Sequence, residues 1–301
     1  VWAPAPTAGV LDSEFPEIEK SGRILNSQLF GAGTSEIRLE DDPQIFYETG
    51  FAYIDHSMLD ILEIDLIKGD KNSALQEPNT IVISKEKAEK YFPNENPIGK
   101  TIHMQNNVLD NSSGRSLTIT GVIELKKASH FQYDFLMTLS EVEFYPGEQD
   151  NWNANNYHTY FKTKGNVNTP ALNEKLDLLT KNYFVPAWMA DGDQGVSEAA
   201  EKTHYQMQAV TDIHLHNGDI YDGLNHGDIR FVWIFSAVAG FILLIAAINF
   251  INLSTAKSAN RALEVGLRKT VGSNRRSLVN QFLIESILYS LISFVMALVF
   301  A

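Results

Sequence analysis

Two long apolar runs near the C-terminal end constrain this chain more than any other feature. Residues 231–253 hold no charged side chain, and residues 278–301 hold only one, Glu285. At about 1.5 Å per residue, the first run reaches about 34 Å as a helix, which exceeds the ~30 Å hydrocarbon core of a bilayer. A helix that is apolar on every face over this length is typical of a membrane span. We therefore predict transmembrane helices at 231–253 and 278–301.

The segment between the two runs, residues 254–277, is short and basic. It holds six Lys or Arg side chains against one acidic side chain, Glu264. Short loops rich in Lys and Arg stay on the cytoplasmic side of a membrane. We therefore predict that residues 254–277 form a cytoplasmic loop and that residues 1–230 form an extracytoplasmic domain. A further span is expected before Val1.

Charge is divided unevenly along the chain. The net charge is −13, yet residues 231–301 contain six basic and only two acidic side chains, so the acidic excess lies in the first 230 residues. Such a division indicates two environments rather than one globule. It also argues against a nucleic-acid partner, because phosphate contacts require a basic surface.

Residues 1–230 mix strand-like and helix-like patterns. Alternating and β-branched runs predict strands at 44–54, 80–84, 100–104, 116–124, 157–163 and 204–210. Apolar periodicity predicts helices at 57–66, 85–92 and 170–184. Ser84 is the predicted N-cap of the second helix, and Thr169 followed by Pro170 is the predicted start of the third. We predict an α+β domain with a small β-rich insertion at about 67–125.

The basic loop itself has a helical pattern. Leu263, Leu267 and Val271 are spaced four residues apart and form one apolar stripe, with Arg261, Glu264 and Arg268 on a neighbouring face. Gly272 is a C-cap candidate, and Ser273 can N-cap the following helix. The pattern predicts a short amphipathic helix, a sharp turn and then a span. Such a helix either lies on anionic lipid or docks into the groove of a partner, and the apolar stripe favours docking.

Glu285 lies in the first turns of the second span. A glutamate is costly where it faces lipid, so it faces other helices or lies close to the headgroups. The sequence leaves both positions open.

Catalytic and metal-binding patterns are weak. The chain contains no cysteine, which excludes disulfides, cysteine-zinc sites and thiol nucleophiles. The Gly99-Lys100 pair ends a stretch like a phosphate-binding loop, but Asn94 stands where that motif needs glycine. His214 and His216 would face the same side of a strand, but no third metal ligand is evident nearby. We predict no catalytic residue, no metal site and no bound cofactor in this chain.

Residues 251–286 resemble the membrane core of MacB/FtsX-type ABC transporter permeases. The match is carried, in chain order, by Arg261, Glu264, Gly266, Arg268, Gly272 and Glu285. Two stretches further upstream, residues 78–102 and 118–140, resemble the periplasmic core domain of the same family. The resemblance implies a porter-like part beside the β-rich insertion, and it implies membership of a longer permease.

The resemblance also implies how such a chain works. In this family the short loop helix is a coupling helix, which receives the movement of a separate or fused ATPase and passes it to the periplasmic domain. It implies ATPase docking by four polar side chains and a groove filled by the apolar stripe. These residues are Arg261, Glu264, Arg268 and Lys269, with Leu263, Leu267 and Val271.

The expected partners and location follow from the same resemblance. We expect an ABC ATPase that binds ATP and Mg²⁺, a second permease copy or half, the lipid bilayer, and a periplasmic adaptor or substrate. The expected location is the bacterial inner membrane, with residues 1–230 in the periplasm. The alternative is a membrane-bound sensor whose extracytoplasmic domain binds a ligand. A sensor would continue from its first span into long cytoplasmic signalling helices, whereas this chain returns to the membrane after residues 254–277.

Overall fold

The computed structural model describes residues 2–27, 30–40, 44–105, 114–126, 129–190, 202–216, 227–272 and 274–300, with residues 259 and 260 described by their backbone alone. The chain divides into two compact units, unit 1 (Val1–Asp228) and unit 2 (Ile229–Ala301).

Unit 1 combines a large sheet with short helices. Its strands are β1 (Trp2–Pro4), β2 (Ile18–Leu25), β3 (Gly33–Leu39), β4 (Ile45–Ile54), β5 (Leu66–Gly69), β6 (Thr80–Ser84), β7 (Thr101–Gln105), β8 (Arg115–Ile123), β9 (Phe135–Thr138) and β10 (Asn155–Thr163). Its helices are α1 (Thr7–Glu14), α2 (Met58–Ile61), α3 (Lys85–Tyr91), α4 (Thr169–Leu179), α5 (Val185–Ala190) and α6 (Ile213–His216).

Six of these strands close into a ring. Around the ring, β3 pairs with β4, β4 with β9, β9 with β6, β6 with β8, β8 with β7, and β7 again with β3. The pairs β4–β9 and β6–β8 are parallel and the others are antiparallel. The strands of the predicted β-rich stretch, β5 to β8, therefore belong to the same sheet as β3, β4 and β9. Closure of a sheet leaves the ring without an open edge.

Both faces of the ring are buried, because successive side chains of its strands pack into apolar clusters on opposite faces. Ile81 and Ile83 of β6 point into one cluster with Phe135 and Met137 of β9, whereas Val82 between them packs into a second cluster on the other face. All five residues of β6 are buried. A strand that is covered on both faces is read in sequence as a continuous apolar run, which explains why the run TIVIS is almost uninterrupted.

The remaining strands extend the sheet from the ring. Strand β2 pairs with β4 and then with β10, β10 pairs with β1, and β5 pairs with β8. Helices α1 and α4 cover this extension and form a third cluster. It contains Leu11, Phe15, Ile18, Leu172, Leu176, Leu179 and Phe184.

Most strand predictions for unit 1 are confirmed within two residues, whereas the helix predicted at 57–66 is only α2 (Met58–Ile61) and ends five residues early. Strand β6 has its predicted bounds, and β4, β7, β8 and β10 each begin and end close to theirs. The Ser84 hydroxyl accepts a hydrogen bond from the Lys87 backbone N–H at 3.3 Å, so Ser84 is the N-cap of α3. Helix α4 begins one residue earlier than predicted, because the Asn168 side chain accepts from the Ala171 N–H and acts as its cap.

The strand predicted at 204–210 is wrong. Residues 203–209 form no regular secondary structure, although Tyr205 and Met207 pack against the third cluster. The Met207 N–H donates to the side chain of Asn173 on α4 at 3.0 Å instead of to a neighbouring strand. The alternating pattern therefore arises from an extended segment that buries one side against a helix.

Unit 2 consists of two long helices, α7 (Ile229–Thr270) and α8 (Arg275–Phe300). Both contain stretches long and apolar enough to cross a membrane, Ile229–Ser258 in α7 and the whole of α8. The short separate helix expected within residues 254–277 is absent from this unit, because α7 continues without a break to Thr270. No proline interrupts that stretch and Gly266 is its only glycine before Gly272, so nothing in it stops a helix.

The turn between α7 and α8 contains the predicted C-cap glycine, Gly272. Gly272 has a φ of +93°, a left-handed conformation that L side chains adopt with strain, and its N–H donates to the Lys269 carbonyl at 3.1 Å. Ser273 lies outside the described residues. The side chain of Asn274 accepts from the Arg276 N–H at 3.4 Å and caps α8.

Glu48 on β4 holds α3 against the ring. Its carboxylate accepts hydrogen bonds from Lys87 at 2.6 Å and also from Lys90 and Tyr91, although only 5% of the residue is exposed. Burial alone would raise the pKa of Glu48, but these three donors outweigh it and lower the pKa to about 2. A carboxylate with a lowered pKa stabilises the fold most above the pKa it has when unfolded, and that stabilisation is lost as the pH falls towards the folded pKa.

We predict that Glu48→Gln destabilises unit 1 by about 3 kcal/mol at pH 7, because it leaves Lys87 buried without its main anionic partner. The difference from the wild type should shrink as the pH falls from about 5 towards 2, where the wild-type carboxylate also loses its charge. Urea unfolding of residues 1–228, followed by circular dichroism at several pH values, measures both effects.

Glu124→Gln is the matched control for this prediction. Glu124 pairs with Lys85 at 3.1 Å on the surface, with 63% and 49% of the two side chains exposed. Its loss should cost less than about 1 kcal/mol. Equal effects of the two substitutions would contradict the role given to Glu48.

Candidate functional site

The basic segment and the start of α8 form a helical hairpin, which we define as residues 261–285. Its arms are residues 261–270 of α7 and 275–285 of α8, and its tip is the turn at 271–274. At about 1.5 Å per residue, the two arms are about 14 and 15 Å long. Because the arms have nearly equal lengths, Arg261 and Glu285 lie opposite one another at the base.

Arg261 and Glu285 join the two helices. The Arg261 Nη2 atom lies 2.5 Å from the Glu285 Oε1 atom, and the guanidinium carbon lies 5.0 Å from the centre of the Phe282 ring. We call these three residues the clamp. Glu285 therefore faces the neighbouring helix, where it has a basic partner.

Arg268 makes a second connection nearer the tip. Its Nη1 atom donates to the Gln281 Oε1 atom at 3.0 Å, across the hairpin. Its Nη2 atom also lies 2.6 Å from Glu264, one turn earlier on α7. Charged pairs at this spacing stabilise a helix by a few tenths of a kcal/mol. Arg268 therefore supports both the arm itself and its contact with α8.

The apolar stripe of Leu263, Leu267 and Val271 is exposed and is not buried against α8. These side chains are 76%, 62% and 89% exposed. Residues two positions apart on a helix are separated by about 200° around its axis, so Leu263 lies nearly opposite Arg261. Leu267, Arg268, Val271 and Gly272 line a shallow depression at the tip. Within the described part of the chain, nothing covers this stripe.

The seven predicted docking residues thus lie in three different parts of the hairpin. The three apolar residues remain exposed on one face, and Glu264, Arg268 and Lys269 lie beside them towards the tip. Arg261 is instead engaged with α8 at the base. Sequence reasoning missed Gln281 and Phe282, although both lie within one turn of Glu285 and so share its side of α8.

The residues considered for metal and phosphate binding are His214, His216 and Lys100. Among the described residues, no group of three or more His, Cys, Asp or Glu side chains could hold a metal ion. His214 and His216 lie on the short helix α6 and not on a strand. Lys100 pairs with Glu95.

Two family models match the chain. The model of the MacB-like periplasmic core domain matches residues 3–179, which include the whole ring and α1 to α4. The model of the FtsX-like permease C-terminal region matches residues 236–301, which include the hairpin.

Individual relatives agree with these models. The macrolide export ATP-binding/permease protein MacB of Neisseria meningitidis is 24% identical over 261 residues, covering 86% of this chain and 35% of that protein. The uncharacterized ABC transporter permease YknZ of Bacillus subtilis is 24% identical over 211 residues, covering 70% of this chain and 45% of its own length. This chain therefore spans about a third to a half of the length of these relatives.

A solved structure has a similar fold. The crystal structure of a domain assigned to a permease protein from Porphyromonas gingivalis matches with a TM-score of 0.50 and 26% identity, over 60% of this chain and 78% of that one. The periplasmic core model covers more than half of the chain, and the permease model covers most of the two apolar helices. Together with the sheet-rich unit 1, these matches show that the chain belongs to the MacB/FtsX-type family of ABC transporter permeases.

Proposed function

We propose that this chain couples ATP hydrolysis by a partner ATPase to movement of its periplasmic domain, for export or for work outside the cytoplasm. The observation that carries the proposal is the exposed apolar stripe on the hairpin. Leu263, Leu267 and Val271 form a row on the outer face of a charged arm, where no described residue covers them. Apolar side chains at this spacing are the anchors with which a helix enters the groove of a partner.

The continuity of α7 favours docking over attachment to lipid. An amphipathic helix that anchors a protein lies along the membrane surface with its apolar face in the headgroup region. The arm of the hairpin extends the membrane-spanning part of α7 without a break. It therefore projects its stripe beyond the bilayer, where a protein partner can reach it.

The charged side chains beside the stripe would set the orientation of the partner. Glu264, Arg268 and Lys269 surround the apolar row, and complementary charges at the rim of an interface govern orientation and association rate. In this proposal the partner holds ATP and Mg²⁺, and this chain needs no cofactor of its own. The MacB relatives are named as ATP-binding/permease proteins, so the ATPase is either fused to the permease or a separate subunit.

The location follows from the same proposal. The hairpin lies in the cytoplasm and unit 1 in the periplasm, with α7 and α8 in the inner membrane of a bacterium. A second permease copy or half completes the transporter, and a periplasmic adaptor or substrate is the target of the movement of unit 1.

We predict that Glu264→Arg with Arg268→Glu removes a co-purifying ABC-type ATPase from the full-length protein. The two substitutions together keep an ion pair at the same spacing, so the arm stays helical, but they reverse the charge pattern presented to the partner. Retention of the ATPase after solubilisation from the native membrane should fall about tenfold or more.

The matched control exchanges the exposed pair of unit 1, Lys85→Glu with Glu124→Lys. It makes the same exchange of charges within unit 1, and ATPase retention should remain at the wild-type level. An ATPase that is retained equally by the hairpin variant, or that is absent from the wild type, would show that the hairpin is not the docking element.

We also predict that a cysteine introduced into unit 1 and a cysteine introduced into the hairpin lie on opposite sides of the membrane. The sequence contains no cysteine, so Lys85→Cys and Lys269→Cys introduce unique thiols within it. A membrane-impermeant maleimide applied to cells with a permeable outer membrane should label position 85 and leave position 269 unlabelled. Labelling of position 269 should appear only after the inner membrane is opened. The reverse pattern would contradict the proposed topology.

A further inference from the structure

The clamp lies at the boundary between the uncharged and the charged parts of both membrane helices. In α7 no charged side chain occurs between Arg230 and Lys257, and Arg261 follows one turn later. In α8 no charged side chain occurs between Glu285 and Phe300. Because charged side chains avoid the hydrocarbon core, the Arg261–Glu285 pair lies towards the cytoplasmic end of both apolar runs.

The tip of the hairpin therefore projects from the membrane. The charged side chains on the tip side of the clamp are Glu264, Arg268, Lys269, Arg275 and Arg276, which keep the tip outside the hydrocarbon core. The stripe lies on this projecting part. A push on the stripe acts first on α7, and it reaches α8 only through the contacts that join the two helices.

Those contacts are few. In α8, Leu278 is the only buried side chain that the structure describes, and the described side chains of α7 are all at least partly exposed. Arg268 donates one hydrogen bond to the uncharged side chain of Gln281 on α8. Between the described residues of the two helices, the Arg261–Glu285 contact is the one ion pair.

We propose that the clamp of Arg261, Phe282 and Glu285 makes the bases of the two helices move as one body when the tip is displaced. These are positioning residues, and Arg261 is not a docking contact. The proposal of a rigid base stands on the geometry alone. The source of the displacement, a bound ATPase, rests on the function proposed above.

Arginine suits this position for a physical reason. Its planar guanidinium can donate to a carboxylate at its edge while its face lies against an aromatic ring, and here both contacts are present. The two charged side chains are 37% and 36% exposed in the chain alone. Towards the end of the apolar runs the surrounding dielectric is lower than in water, which strengthens an ion pair.

The test measures the distance between spin labels on the membrane side of the clamp. Thr255→Cys on α7 and Tyr289→Cys on α8 place two labels on exposed positions of the full-length protein, reconstituted in lipid nanodiscs, with any cysteine outside these residues replaced. Double electron–electron resonance should give a narrow distance distribution for the parent. Arg261→Gln or Glu285→Gln should broaden it about twofold, because each leaves one charge without its partner.

Two further variants separate the clamp from a general loss of charge. Arg261→Glu with Glu285→Arg restores an ion pair with exchanged partners and should give a narrower distribution than either single variant. Glu264→Gln removes a pair within α7 and should leave the distribution narrow. Unchanged distributions in both Arg261→Gln and Glu285→Gln, or no narrowing in the exchanged pair, would overturn the clamp.

ATPase retention by the same samples distinguishes the clamp from docking. Arg261→Gln and Glu285→Gln should retain the ATPase at the wild-type level and hydrolyse ATP, but lose the ATP-dependent shift in label distance. Loss of the ATPase from these variants would show that Arg261 is a docking residue and overturn its assignment here. If the wild type itself retains no ATPase, the proposed function fails, whereas the label distances without nucleotide still decide whether the base is rigid.

Discussion

Continuous backbone hydrogen bonding along α7 is the constraint on which unit 2 depends. Inside a bilayer each N–H and C=O group must be paired within the chain, so a span cannot be interrupted without cost. Helix α7 satisfies this over 42 residues, a length of about 63 Å, or twice the hydrocarbon core. Span and hairpin arm are consequently one element. In the proposed function, a force on the stripe is transmitted along the backbone of α7, and α8 follows only through its contacts with α7.

Unit 1 also pairs its backbone N–H and C=O groups, and it does so by closing its sheet into a ring. In the ring of β3, β4, β9, β6, β8 and β7, strands are paired on both sides, and the apolar clusters on its two faces are buried. Such interiors are close-packed and deform little. The Glu48 network ties α3 to this ring through three donors. In the proposed function, a closed and close-packed ring would pass on a displacement of unit 1 rather than absorb it.

Sequence patterns predicted the elements that depend on neighbouring residues, and they did not predict contacts between residues that are distant in the sequence. The run TIVIS and the Ser84 cap are local signals, and both were read correctly from neighbouring residues. The pattern at 204–210 was misread, because period-two burial of Tyr205 and Met207 is the same whether the partner is a strand or α4. The parallel pairing of β4 with β9 joins residues more than 80 positions apart, and no local pattern indicates it. For the same reason the partner of Glu285 could not be named in advance.

The spacing of residues 261–271 explains why one short segment can both contact α8 and expose an apolar stripe. Arg261, Glu264 and Arg268 recur at three and four residues, so they share the side of α7 that reaches α8 through Arg261 and Arg268. Leu263 and Leu267 are offset from Arg261 by two and six residues, about 200° and 240° around the axis, and Val271 lies in the turn beyond the end of α7. An apolar row in that position cannot contribute to the hairpin itself. The helical period thus places Arg261 on the side that joins the two helices and Leu263 on the opposite side, whereas Arg268 lies beside Leu267 and also contacts Gln281 of α8.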